Sequence, residues 1–110
     1  MIEDFLEILS NRHIIYMRDG FITLPAAHIF ATWRIVKRKA DGADGYNMLW
    51  RTEYEVRIFY RSSKTAADIA LEKDMEDDMR GFDNLECEYD YDSDNKLDIT
   101  IYRFTADIDF

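Results

Sequence analysis

Apolar positions recur along this chain with two different periods. Ile2, Phe5, Leu6, Ile8 and Leu9 fall at helical spacing, with Glu3, Asp4 and Glu7 between them. This pattern predicts a short amphipathic first helix, and acids in its first turn suit the helix dipole. Ile14 to Met17 form a short β-prone run, followed by the turn signal Asp19-Gly20. The expected element is a short hairpin, because glycine accepts positive φ at no steric cost. Pro25 lacks a backbone N–H, so it belongs before a strand or on an edge.

The clearest strand pair comes next. Ile29, Ala31, Trp33 and Ile35 alternate with His28, Phe30, Thr32 and Arg34. Trp50, Thr52, Tyr54, Val56, Ile58 and Tyr60 alternate with Arg51, Glu53, Glu55 and Arg57. Strand side chains alternate between faces, so each strand presents one apolar side. The eleven residues 37–47, KRKADGADGYN, read as a long exposed hairpin loop between these strands. A helix is predicted over 66–80. Thr65 would cap it through a box with Asp68, Ala67, Ala70, Leu71, Met75 and Met79 would form its buried stripe, and Lys73, Asp74, Glu76 and Asp77 would face water. Gly81 sits where a positive-φ terminator belongs, and Phe82 can fold back onto the helix end. Leu85, Cys87, Tyr89 and Tyr91 then alternate with Glu86, Glu88, Asp90 and Asp92, and a turn over Ser93–Lys96 leads to Leu97, Ile99 and Ile101. The apolar phase slips by one at Tyr102 and Phe104, which predicts a β-bulge near Tyr102–Arg103. The expected fold class is α+β: an antiparallel sheet of about four main strands (28–37, 50–61, 84–92 and 97–109) with two helices packed on one face. Trp33, Tyr54 and Val56 should then meet Leu71 and Met75.

Length and charge narrow the picture. One domain, 1–110, is expected, and 47% apolar residues are enough for a core. No apolar run reaches the length of a membrane span, and MIEDFLEIL has acids where a signal peptide has bases. Residues 1–61 hold nine bases and eight acids, whereas residues 62–110 hold five bases and fifteen acids. Such acidity disfavours ordinary DNA binding and binding to anionic lipid. The single cysteine, Cys87, allows no internal disulfide and suits a reducing, intracellular setting. Its phase with Leu85 and Tyr89 makes it a core thiol.

Candidate chemistry is sparse. Asp90, Asp92 and Asp94 lie at alternate positions, but a calcium loop needs glycine at its sixth position and a bidentate glutamate at its twelfth, where Asn95 and Ile101 stand. His13 and His28 have no Cys or His at ligand spacing, and a structural or surface role is expected for them: His13 is placed to serve the first helix's C-terminus, and His28 falls on the strand face opposite Trp33. Glu53 and Glu55 lie two apart on one strand, where an acid/base pair is conceivable, but Arg51 and Arg57 flank them on the same face, which reads as a charge ladder. There is no phosphate loop and no nucleophile elbow. The expectation is a protein without catalytic, metal or cofactor residues. The basic Lys37-Arg38-Lys39, with Asp41 and Asp44 nearby, suits docking onto a second copy's acidic surface.

The ordering also resembles a family of small proteins from long-tailed phages and prophages, the tail terminator or tail completion proteins, also known as minor capsid proteins. The features that carry the resemblance are the short first helix, Leu24-Pro25 leading into the strand 28–36, and Tyr54-Glu55-Val56-Arg57-Ile58-Phe59-Tyr60, which is similar to the family's Y-x-V-x-L-Y-T stretch before a Lys-containing turn, here Ser62-Ser63-Lys64-Thr65. An acidic helix with Leu71-Glu72-Lys73 and a terminal strand with Ile101-Tyr102-Arg103-Phe104 complete it. Ala26-Ala27-His28 stands where the family often has an aromatic residue after the proline. The resemblance implies a virion protein, assembled in the host cytoplasm, that is not an enzyme. It would form a ring, typically a hexamer, cap the tail tube, stop its growth and present the head-tail joining surface. The implied partners are further copies of itself, the tail-tube protein and a head-completion or stopper protein. DNA would pass through without specific binding, which an acidic lumen favours. The expected interface residues are Lys37, Arg38, Lys39, Asp41, Asp44, Tyr46, Tyr102 and Phe104, with the slipped terminal strand offering backbone groups for pairing. The alternative is an acidic DNA mimic that inhibits a DNA-binding enzyme.

Overall fold

The computed structural model describes residues 2–41 and 49–109. They form an α+β fold with elements α1 (Ile2–Ser10), β1 (Ile15–Arg18), β2 (Ile29–Asp41), β3 (Leu49–Arg61), α2 (Ala66–Asp78), β4 (Asp83–Asp92) and β5 (Leu97–Asp109). The strands build one five-stranded sheet in the order β1-β2-β3-β5-β4. Ile2, Phe5, Ile8 and Leu9 of α1 and Met75 and Met79 of α2 share one core with Ala31, Tyr54, Val56, Ile58, Tyr60, Tyr102 and Phe104. Both helices therefore cover the same face, as the alternation predicts.

The sheet is mixed, which corrects the all-antiparallel expectation. β1 runs parallel to β2, with Ile15 opposite Phe30 and Arg18 opposite Trp33. Asp19 (φ 63) and Gly20 (φ 120) do turn the chain, but no hairpin follows. Residues 19–28 instead cross the uncovered face, and this lets Phe21 pack edge-on against Phe30 at 5.7 Å, a burial that a tight hairpin would forfeit. Arg61 pins the end of the crossover, donating from Nε to the Ala27 carbonyl at 3.1 Å and from Nη2 to that of Pro25.

The expected bulge on the terminal strand is absent: β5 pairs with β3 in unbroken register from Leu97 to Asp109. Its apolar slip has another cause. β5 lies inside the sheet and is buried on both faces, with Tyr102 and Phe104 under the helices and Ile99 and Ile101 on the other side. The irregularity opposite this region sits on β4, between Asp83 and Glu86, where Asn84 takes φ 54. Asparagine tolerates that left-handed conformation. A second shift, at Val36 in β2, turns Lys37 and Lys39 to the face of Glu53 and Glu55, and Arg38 to the face of Thr52.

The α2 cap is as expected: the Thr65 hydroxyl accepts from the Asp68 N–H at 3.2 Å, and the Asp68 carboxylate accepts from the Thr65 N–H at 2.9 Å. Gly81 has φ 110, and Phe82 packs on Phe5 and Phe104. The buried stripe differs from the expectation. It is Asp68, Glu72, Met75 and Met79, whereas Ala67 and Ala70 are exposed and Leu71 is half-buried.

Candidate assembly surface

The two faces of the sheet handle charge differently. On the covered face, α2 turns three carboxylates inward, one per helical turn. Asp68 Oδ2 lies 2.8 Å from His28 Nε2. Glu72 Oε2 accepts from the Tyr60 hydroxyl at 2.5 Å and from Thr100 Oγ1 at 2.6 Å, while Oε1 accepts from Lys64 Nζ at 3.1 Å. Glu76, expected to face water, accepts from the Tyr102 hydroxyl at 2.6 Å. Burial, and then the hydrogen bond to a carboxylate, push both the Tyr60 and Tyr102 hydroxyls well above the usual phenol range. Burial raises the Asp68 carboxyl, but bonds from Thr65 and His28 bring it below its ordinary value. Since both Glu72 oxygens already have donors, this row clamps the helix to the sheet. His28, expected on the strand face opposite Trp33, instead lies on the covered face where Trp33 also packs, and there it bonds Asp68. The helix-end role expected for His13 goes to Arg12, whose Nη1 donates to the Ile8 carbonyl at 3.0 Å while Nη2 reaches Asp74 and Asp78 at 2.9 and 2.7 Å. His13 itself is exposed and supplies the left-handed residue (φ 58) that ends α1.

The opposite face carries no helix among the described elements. At its centre the Glu55 carboxylate is only 1% exposed. Arg34 and Arg57 donate through Nε to Oε1 at 3.1 and 2.8 Å, and Arg103 donates to Oε2 at 3.0 Å. Arg103 also reaches Glu88 at 2.8 Å, and Lys37 lies 3.6 Å from Glu53. The expected ladder ran along one strand; the observed one keeps Glu53, Glu55 and Arg57 of β3 and draws Arg34, Lys37, Arg103 and Glu88 from three further strands. Burial raises the Glu55 carboxyl, but the three guanidiniums outweigh it and bring it down to about 2. Between the 19–28 crossover and the sheet lies an open pocket of about 490 Å³, lined by Phe21, Leu24, Phe30 and Phe59 together with Arg34, Glu55 and Arg57 of the ladder. Arg34 and Arg103 carry no signal in the linear sequence, because they come to the Glu55–Arg57 pair of β3 from two other strands.

The expected interface residues do not form one patch. Lys37, Arg38 and Lys39 are exposed, but they belong to β2 and not to a loop, so successive side chains face opposite sides. The Arg38 guanidinium lies over the Trp50 ring, 4.8 Å from its centroid. Asp41 ends β2, while Asp44 and Tyr46 lie outside the described residues. Tyr102 and Phe104 are buried in the core, 1% and 2% exposed, and cannot be contacted by a partner. Cys87 also departs from expectation: it is exposed on β4, an edge strand, and its thiol is pushed up by burial of part of its surroundings. Asp92 caps the β4–β5 turn, accepting from the N–H groups of Asp94 and Asn95 at 3.0 and 3.2 Å.

Beyond Ile35, β2, β3 and β5 continue together as a three-stranded arm that runs to Asp41, Leu49 and Asp109. Val36 to Ala40 are exposed along it. No protein-family model and no curated protein matches this chain.

Proposed function

We propose that this chain is a structural tail-completion protein of a long-tailed phage or prophage. It binds the last ring of the tail tube as a ring of its own, ends polymerisation and forms the surface that the head joins, with no chemical step. The observation that carries this reading is the three-stranded arm. Three strands of thirteen residues each run on together to Asp41, Leu49 and Asp109, and the stretch from Val36 to Ala40 is exposed along them. Long, open sheet surface is a liability for a solitary protein and is useful in one that assembles. The resemblance in element order and in the Tyr54–Tyr60 strand supplies the particular assembly. Partners would be further copies, the tube protein and a head-side stopper, within the virion.

The DNA-mimic alternative has weaker support. A mimic displays carboxylates as an uninterrupted stripe. Here Asp68, Glu72 and Glu76 turn inward, and the acids of β4 make only one short row, in which Glu88 is held by Arg103.

The test is to add the purified protein to polymerising tail-tube subunits and measure tube length by electron microscopy. Binding at tube ends with shortened tubes is the expected result. An unchanged length distribution with bare ends would overturn the proposal.

A further inference from the structure

The two lateral edges of the sheet carry opposite charge. On one side the edge strand is β4, and its charged residues are Asp83, Glu86, Glu88, Asp90 and Asp92, with no base among them. On the other side β1 covers β2 only from Phe30 to Trp33. From Arg34 to Asp41 no described strand pairs with the outer side of β2, and this stretch holds four bases, Arg34, Lys37, Arg38 and Lys39, against one acid, Asp41. Both edges also expose apolar side chains: Tyr89 (69%), Tyr91 (51%) and Leu85 on β4, and Val36 on β2.

We propose that the β4 edge of one copy pairs with the outer edge of β2 in a second copy, head to tail. This deepens the ring reading above by naming the two surfaces that meet. Strand direction fits. β4 is antiparallel to β5, β5 to β3, and β3 to β2, so β4 and β2 run in opposite senses within one copy. Repeating the copy side by side places β4 antiparallel to the next β2, the more stable type of ladder. Charge selects this arrangement over a two-fold one. A β4–β4 pair would bring two all-acidic strands together, and a β2–β2 pair would bring two basic ones together, each costing repulsion. A heterologous contact of this kind leaves one free edge of each type on the growing assembly, so it closes into a ring or continues. β2's free stretch lies farther along the strand direction than β4, so neighbouring copies are staggered. Such a stagger accompanies any sheet that closes on itself.

Cys87 makes the contact testable, because it is the chain's one cysteine and is exposed on β4. Arg38 lies on the same sheet face as Cys87 by strand register. Two proteins are prepared: the natural chain, and an Arg38→Cys/Cys87→Ser chain whose thiol is on β2. Each is treated at high concentration with a short bis-maleimide, alone and mixed. The expected result is a mixed dimer, with little dimer from either chain alone and a severalfold lower yield in molar salt, which screens the charges. Cross-linking of the natural chain alone would establish a β4–β4 contact and overturn the proposal, as would a mixture that stays monomeric. The readout does not involve the phage. Mixed dimers together with unaltered tube growth would keep the edge pairing and remove the tail-completion reading.

Discussion

Glu55 and Glu72 are buried carboxylates on opposite sides of one sheet, Glu55 on β3 and Glu72 on the covering helix α2, and they are satisfied in opposite ways. Glu55 is held by three arginines that keep contact with water: Arg34, Arg57 and Arg103 are 52%, 35% and 25% exposed. Glu72 lies beneath a helix and is held by two neutral hydroxyls and one lysine at the margin. The difference follows from solvent. Arginines on an uncovered face retain much of their hydration while they neutralise a carboxylate. Under α2, every further charge would lose its hydration, so hydroxyls do most of the work. The covered face is thus bound to one partner, its own helix. The open face carries a ladder complete in the monomer, with charged side chains shielding Ile99 and Ile101 beneath it.

The largest effect is expected at Glu72. Glu72→Leu strands the Tyr60 and Thr100 hydroxyls and the Lys64 ammonium, and should cost about 3–5 kcal/mol in urea unfolding. A loss below about 1 kcal/mol would mean that the buried row does not clamp the helix. Glu55→Gln should cost less, about 2 kcal/mol at pH 7, because the three arginines can turn to water. The acid limb sharpens the comparison. The folded Glu55 carboxyl lies at about 2, below its ordinary 4.5. Its contribution is therefore complete above about pH 4.5 and is lost as pH falls toward 2. The stability gap between Glu55→Gln and the natural chain should close over that window, and a constant gap would contradict the pairing. Leu71→Ala should have the smallest effect, about 1 kcal/mol, since Leu71 is half-buried and a fully buried leucine costs about 2–5 kcal/mol. A full-sized loss would return Leu71 to the helix's buried stripe.

The parts of the fold governed by local periodicity were legible. The Ile29–Ile35 and Trp50–Tyr60 alternation, the Thr65 cap and the Ser93–Lys96 turn all stand where their patterns put them. What failed depended on neighbours far away in sequence. Ile99, Ile101, Tyr102 and Phe104 read as a slipped strand because burial on both faces of an interior strand looks like a phase change. Glu76 read as solvent-facing, and Asp68 and Glu72 were left out of the buried stripe, because helix patterning counts apolar residues and cannot see the hydroxyls waiting on Tyr60, Thr100 and Tyr102. The parallel β1 was hidden by Asp19-Gly20, a turn equally able to begin a hairpin or a crossover. At the candidate site, the Lys37–Lys39 charge was visible, but its place in a strand was not. The Glu55 cluster could be anticipated only as far as Arg57, since Arg34 and Arg103 arrive from other strands.

The proposed role of the exposed arm is assembly at the end of a phage tail. Deleting the gene from the phage or prophage and imaging the lysate by electron microscopy tests it most directly. The account predicts overlong tails without heads, restored to normal length and joined to heads when the natural chain is supplied in trans. Tails of normal length carrying heads in the deletion lysate would contradict it.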